Sequence, residues 1–376
     1  MPTQANRRTF LLSAAGATAA AAAAPQTIRT AFIGVGNRAQ ALLTQTLAEP
    51  SVDITAICDI DAAARDKALS RTAASNPKSY TDWREIVDLA NVDAVKIATP
   101  CYLHAEMAAA CLRAGKYVYC EKPLGITAEQ VASVLEASRG AKGFLQIGQQ
   151  IRYYPMVREA MRAIHEDQVA GNIFVVRAQR NSTPRKPSEA RPRPAWYEDP
   201  AKSGDLIVEN SVHNLDVCNW IIGDHPTAAF GRGARYLPDF LPAGRRMMDG
   251  FSVEYAYDQD THLDYTQIYL HARGLKEIPS GQHYAIYGDK GTVFLTHTSA
   301  MFYDMHGDSE PVDLISPATK ERKENAMQEF YAAIREGRKP FADITVGATA
   351  ALTGILGREA IYKGVSVEWN DLGVNL

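Results

Sequence analysis

The segment Ile33-Gly34-Val35-Gly36-Asn37-Arg38-Ala39 constrains this chain more than any other. It spaces two glycines and an alanine as G-x-G-x-x-A, directly after an apolar run at 29–33 and directly before a stretch of helical periodicity. In that setting the first glycine allows a tight turn, the second lets a ligand approach the backbone, and the small Ala39 lets helix and strand pack closely. A helix opening there presents unpaired N–H groups and the positive end of its dipole, which suits a phosphate. The motif predicts the first βα turn of a doubly wound parallel sheet.

The surrounding pattern agrees. Apolar runs at 52–58, 94–98, 117–120 and 144–147 read as further buried strands, and stretches near 39–48, 62–69, 83–89, 104–114 and 128–137 have helical spacing. This alternation over 27–150 predicts a Rossmann domain, so the fold class is α/β. The pattern then changes. A helix at 156–165 and a strand at 173–179 lead into 180–202, rich in Pro, Arg and Ser without a period, which reads as a long loop. Its arginines could meet an acidic substrate, a neighbouring subunit or solvent, and its Trp196 and Tyr197 could stack on a sugar ring or anchor the loop. A helical stretch at 206–222 precedes strand-like runs at 228–236, 251–257, 265–271, 284–288 and 292–296 with no helices between them. These predict a C-terminal α+β domain over 151–376 with a mostly antiparallel open sheet, closed by helices at 325–336 and 346–363. A length of 376 residues accommodates two such domains.

Residues 1–24 stand apart from the fold. Arg7-Arg8-Thr9-Phe10-Leu11 followed by an alanine-rich apolar run to Ala24 reads as a twin-arginine signal peptide, too short to span a bilayer with ease. The expectation is export through the twin-arginine translocase to the periplasm or beyond, with no stable membrane span in the mature protein. Five cysteines without C-x-x-C spacing argue against a zinc site or a complete disulfide framework and read as buried thiols. A net charge of -3 gives no global attraction to nucleic acid, so a small neutral or weakly charged ligand is the expected partner.

Asp59 ends the second predicted strand, where a carboxylate can accept hydrogen bonds from the ribose hydroxyls of an adenine dinucleotide and repel a 2′-phosphate. NAD is therefore preferred to NADP. Asp61 could serve instead, and either could simply cap a helix. Ala98-Thr99-Pro100 with His104, and Glu121-Lys122-Pro123, end the fourth and fifth strands at the carboxyl edge where such sheets bind ligands. The expected cofactor-binding set is Gly34, Gly36, Asn37, Arg38, Asp59, Thr99, Pro100, His104, Glu121 and Lys122.

Lys122 stands where it can orient a hydroxyl that loses hydride and stabilise the charge developing on its oxygen. A second group, Glu209 to Asp216, reads as one helix that brings Glu209, His213 and Asp216 to a common face. His213 suits acid/base work near neutrality, with Glu209 or Asp216 fixing its tautomer. The same spacing could hold a metal or a buried polar network, but no further ligand cluster accompanies it, and no metal is expected.

In combination these elements resemble the glucose-fructose oxidoreductase and inositol dehydrogenase family (Gfo/Idh/MocA). The resemblance runs from about Ile28 to the C-terminus and rests on Gly34-Val35-Gly36, Asp59, Ala98-Thr99-Pro100, Glu121-Lys122-Pro123, the acid-x-x-x-His element and Tyr287-Gly288-Asp289-Lys290-Gly291. It implies catalysis by Lys122, Glu209 and His213 on sugars or cyclic polyols. It also implies that Gln149, Arg152 and Tyr153 face substrate, with Asp216 nearby, and a homo-oligomer, dimer or tetramer, built through the open sheet. One departure is Glu209, where the family carries aspartate; its longer arm either fills the same role or leaves it to His213. Export joined to a nicotinamide cofactor favours tightly bound NAD(H). Three readings follow: a sugar oxidoreductase, a redox-neutral NAD-dependent glycosidase that needs an extra base from Tyr153, His213 or Glu209, and a sugar-binding protein without chemistry.

Overall fold

The computed structural model describes residues 27–184, 193–237 and 246–376. The signal peptide expected at 1–24 and the middle of the 180–202 stretch lie outside the described residues.

The first sheet comprises β1 (Ile28–Ile33), β2 (Val52–Cys58), β3 (Lys78–Tyr80), β4 (Ala94–Ile97), β5 (Tyr117–Cys120) and β6 (Leu145–Ile147), in the order β3-β2-β1-β4-β5-β6. All its pairings are parallel. The strands read as unbroken apolar runs because helices cover both faces, namely α1 (Asn37–Leu47), α2 (Ala62–Arg71), α3 (Trp83–Val87), α4 (His104–Arg113) and α5 (Ala128–Ser138). The chain reverses its winding between β1 and β4, so the loops after these strands part and leave a crevice at the carboxyl edge. The edge strand β3 escaped the periodicity: its three residues are polar and mostly exposed. Asp61 is the N-cap of α2, accepting from the Ala63 N–H at 2.9 Å, which separates its role from that of Asp59.

After α6 (Pro155–His165), the second sheet has nine strands. They are β7 (Ile173–Asn181), β8 (Ala228–Ala234), β9 (Gly250–Ala256), β10 (His262–Ile268), β11 (Gly281–Gly288), β12 (Gly291–Leu295), β13 (Ala300–Asp304), β14 (Val312–Asp313) and β15 (Val367–Glu368). Their order is β14-β13-β12-β11-β7-β10-β9-β8-β15, antiparallel throughout except where β7 meets β10. Its inner face, with Ala178, Tyr255, Tyr265 and Tyr284 buried, packs on helices.

One correction concerns 206–222. The single helix expected there is two, α8 (Asp205–Glu209) and α9 (Val212–Ile222), following the short α7 (Pro200–Ser203). The break at Asn210 and Ser211 is pinned to the sheet. Arg180 Nη1 donates to the Asn210 carbonyl (3.2 Å), Gln267 Nε2 donates to Asn210 Oδ1 (2.9 Å), and Ser211 Oγ donates to Gln267 Oε1 (2.6 Å). Asn and Ser readily exchange helical bonds for such local ones.

The chain closes with α10 (Pro317–Glu321), α11 (Ala326–Glu336) and α12 (Ile344–Lys363). The last of these couples the two sheets, because small residues let it approach both. A Cβ on Gly347 would lie 3.1 Å from Ile147 of β6, and one on Gly357 only 2.2 Å from the Tyr255 hydroxyl of β9. Lys96 on β4 is fully buried behind α11, its Nζ 3.6 Å from the Phe330 ring centroid and 4.2 Å from that of Tyr331, without a hydrogen-bond partner among the described residues. All five cysteines are buried and free. Among the described residues no helix is long and apolar enough to cross a membrane, and no three His, Cys, Asp or Glu side chains converge as metal ligands would.

Candidate active site at the carboxyl edge of the parallel sheet

The glycine turn has the geometry its spacing predicts. Gly34 has φ +82°, and a Cβ there would stand 2.8 Å from the carbonyl of Ala98, so a side chain is excluded on two counts. A Cβ on Gly36 would meet nothing within 4 Å, so its backbone borders open space. Gly36 is the N-cap of α1 and no side chain caps that helix, which leaves its first N–H groups facing the same space. Asp59 Oδ2 accepts from the Val35 N–H at 2.7 Å, holding the carboxylate beside the turn. These residues fit an adenine dinucleotide, with its pyrophosphate at α1 and its ribose at Asp59.

Arg38, at the start of α1, reaches Glu121 across the crevice (Nε to Oε1, 2.7 Å) and Gln150 (3.1 Å), and the Tyr119 hydroxyl also donates to Glu121 (3.2 Å). His104 is buried, and its ring nitrogens lie 2.7 Å from the Pro123 carbonyl and 2.9 Å from the Thr99 carbonyl. It clamps the turn after β4 to the turn after β5 and presents no free ring nitrogen to a ligand. Burial lowers its pKa, against the pull of the two carbonyls.

Lys122 and Glu209 meet from opposite domains. Lys122 Nζ donates to Glu209 Oε1 at 2.9 Å and also to the Glu209 carbonyl. Burial works against both charges, yet each holds the other ionised: the lysine pKa lies above its ordinary value and the carboxyl pKa below. Tyr197 and Arg193 add to the carboxylate's stabilisation, and Arg193 stands 4.2 Å over the Tyr197 ring. Tyr197 thus anchors the loop beside the site. Glu209 Oε2 remains buried without a hydrogen-bond partner among the described residues.

His213, in the first turn of α9, does not pair with Glu209 or Asp216 as the one-helix reading expected. Its Nδ1 lies 2.7 Å from Gln149 Oε1. The amide is oriented by its own Nε2, which donates to the Val212 carbonyl at 3.4 Å, so Gln149 Oε1 accepts and His213 Nδ1 carries the proton. Nε2 is then the lone-pair nitrogen. Burial, reinforced by the positive fields of Lys122, Arg180, Arg38 and His297, pushes the His213 pKa well below its ordinary value.

Three residues expected near substrate have other roles. Arg152 and Asp216 form a buried bidentate pair at 2.8–3.0 Å, with Arg152 4.8 Å over the Trp220 ring. The Tyr153 hydroxyl accepts the Ala342 N–H at 3.2 Å, and burial raises its pKa. The segment after β6 therefore ties the second domain to the first, and Gln149 of it contacts His213.

Family models for the Gfo/Idh/MocA oxidoreductases match both parts of the chain, the NAD-binding Rossmann fold over 28–149 and the C-terminal domain over 158–294. The chain belongs to the Gfo/Idh/MocA family. An inositol 2-dehydrogenase/D-chiro-inositol 3-dehydrogenase of Lactiplantibacillus plantarum is 30% identical over 183 residues, 48% of each chain. An inositol 2-dehydrogenase of Saccharopolyspora erythraea is 30% identical over 57% of this chain and 60% of its own. The matches thus span about half to three fifths of these curated relatives. A 1,5-anhydro-D-fructose reductase of Ensifer adhaerens is 27% identical over 77% of this chain and 84% of its own. Levoglucosan dehydrogenase in complex with NADH shares the fold, with a TM-score of 0.76 over 91% of this chain and 99% of that one at 20% identity.

Within this Gfo/Idh/MocA chain, the site includes residues that sequence reading passed over. Arg180 on β7 and His297 in the loop after β12 both lie near enough to His213 to act on its charge. Strand alternation alone assigns such residues to a face; only the pairing of β7, β11 and β12 aligns them.

Proposed function

We propose that this chain is an exported oxidoreductase acting on a CH–OH group of a sugar or cyclic polyol, with tightly bound NAD(H). The observation that carries this reading is the convergence of a Lys122 ammonium and a neutral His213 with a free Nε2 at the mouth of the dinucleotide crevice. The chemistry a nicotinamide supplies there is uptake of hydride from a carbinol carbon. The carbinol proton needs an acceptor, and the three candidates separate by charge state. Lys122 is already protonated, Glu209 is committed to Lys122, and His213 Nε2 holds an available lone pair. His213 therefore accepts the proton, while Lys122 orients the hydroxyl and stabilises its developing negative charge. Glu209 keeps Lys122 charged and in place. The longer arm of glutamate thus serves the lysine and not the histidine.

The Asp59 carboxylate beside the glycine turn supports NAD over NADP. Export by the twin-arginine route supports a cofactor that stays bound, with hydride returned to a second sugar in place of exchange with a soluble pool. A homo-oligomer, dimer or tetramer, belongs to the same reading. The glycosidase alternative needs one more base, and the Tyr153 hydroxyl, bound to the Ala342 N–H, is not available for it.

The test is to denature the purified protein and assay the supernatant for NAD(H), then to incubate holoenzyme with sugar donors and acceptors. Released dinucleotide and acceptor-dependent formation of a ketone or lactone are expected. Protein without NAD affinity would sink the proposal, release of monosaccharide from oligosaccharides without an acceptor would transfer it to the glycosidase, and cofactor without turnover would leave a binding protein.

A further inference from the structure

Pairing across the second sheet builds a polar row on the wall of the cleft. Arg180 of β7 pairs with Gln282 of β11 on one side and Gln267 of β10 on the other, and His297 follows β12, the next strand beyond β11. Strand neighbours lie about 4.8 Å apart, so an arginine side chain spans much of this row. Gln267 and Gln282 are occupied by Ser211, Asn210 and Asn214. Arg180 and His297 are engaged far less. Arg180 is half-buried, and its one hydrogen bond among the described residues goes to the Asn210 carbonyl, with no carboxylate partner. His297 packs edge-on against Tyr154 (centroids 5.5 Å apart), and its Nε2 is buried without a partner among the described residues.

Among the described residues three other cations near the cleft have carboxylate partners: Lys122 with Glu209, Arg38 with Glu121, and Arg152 with Asp216. Arg193 lies over Tyr197. The Arg180 guanidinium, close enough to His213 to act on its charge, has most of its donors unused among the described residues. A neutral polyol answers that charge only with hydroxyl lone pairs, which leaves the guanidinium without a counter-charge. A carboxylate would meet the planar fork of Arg180 and an Nε2–H of His297 with charge-assisted bonds.

We propose that the substrate is a sugar acid, its carboxylate held by Arg180 and His297 on the sheet wall while its reacting carbinol faces Lys122 and His213. This rests on the dehydrogenase reading above and names the substrate class of the same site. Arg180 then has two roles, tethering the α8–α9 break and binding the anion.

The experiment compares matched pairs of free sugars and their uronates, in the gluco, galacto and manno series, as hydride donors for holoenzyme, with sugar 6-phosphates as a third arm. A preference for one uronate over its neutral partner of about 10- to 100-fold in kcat/KM is expected, the range for hydrogen bonds to a charged group. In Arg180→Gln that ratio should collapse toward unity, and in His297→Asn, which leaves the Asn210 tether intact, it should fall several-fold. Removing the Arg180 charge should also move the acid limb of the pH profile to higher pH, because His213 loses a positive neighbour. Equal turnover of acids and neutral sugars overturns the sugar acid and leaves the dehydrogenase standing. Preference for a 6-phosphate overturns the carboxylate assignment. A ratio unchanged in both variants removes Arg180 and His297 from recognition, and turnover of no donor removes the reading on which the proposal rests.

Discussion

Gln149 Oε1 lies 2.7 Å from His213 Nδ1, and this contact decides which imidazole nitrogen is left to accept a proton. Gln149 comes from the end of the parallel sheet and His213 from the first turn of a helix in the other domain. The tautomer is thus set across the domain interface.

Replacing Gln149 with Leu removes the acceptor for Nδ1–H while preserving bulk. The ring is then free to adopt either tautomer and orientation, and kcat should fall about 10- to 100-fold, as for lost orienting partners elsewhere. Steady-state kinetics would show this; a Gln149→Leu enzyme with wild-type kcat would mean that Gln149 does not set the base.

The pH profile carries a second expectation. If His213 is the neutral base proposed above, activity is lost as pH falls through its pKa, and burial beside the charges of Lys122, Arg180 and Arg38 places that pKa well below 6.5. In kcat/KM the acid limb should have its midpoint below pH 6.5. A midpoint at or above that value would contradict the assignment.

Lys122→Met leaves the Glu209 carboxylate buried without its cation, so the carboxyl pKa should rise and the hydroxyl lose its orienting charge. A loss in kcat/KM of about 10²- to 10⁴-fold is expected. Lys122→Arg should not restore it, because a planar guanidinium cannot take the place of one ammonium bound to both the Oε1 and the carbonyl oxygen of Glu209. Near-native rates in either variant would take Lys122 out of the chemistry.

The two glycines of the turn should fail differently. Gly34→Ala collides with the Ala98 carbonyl and demands φ +82° of a side chain, so it should lower the melting temperature. Gly36→Ala meets no protein atom within 4 Å, and should fold normally while the new methyl intrudes on the dinucleotide. Melting curves with NAD titrations separate the two. Wild-type affinity in Gly36→Ala would move the pyrophosphate away from this turn.

Lys96 offers a test of stability. Its folded pKa lies well below 10.5, the value for an exposed lysine. As pH falls from that value the unfolded chain binds a proton that the folded chain does not, so stability declines toward neutral pH and recovers as pH rises. Lys96→Met should stabilise the protein at pH 7, because it removes the proton that the folded chain gives up and the unfolded chain keeps. The gap should narrow toward pH 10. Urea unfolding at several pH values measures it, and a gap independent of pH would mean that Lys96 does not lose its proton on folding.

Much of the first domain was legible in the chain because its strands are covered on both faces, so that burial writes itself as continuous apolar runs such as 94–97 and 117–120. The G-x-G-x-x-A turn was legible because only glycine tolerates the conformation at Gly34 and the closeness of Ala98. The break at Asn210 was not, since its partners Arg180 and Gln267 come from distant strands. Nor was the fate of Arg152, Tyr153 and Asp216, whose residue types suit a substrate site as well as a buried network.

Local chemistry thus determined the βα alternation, the phosphate turn, Asp59 beside it, and the placing of Lys122 at a strand end, because each depends on neighbours within a few residues. The tertiary structure alone decided that Glu209 serves Lys122, that Gln149 directs His213, and that Arg180 and His297 share one wall. Those pairings cross the domain interface or the sheet, where separation along the chain says nothing about distance in space.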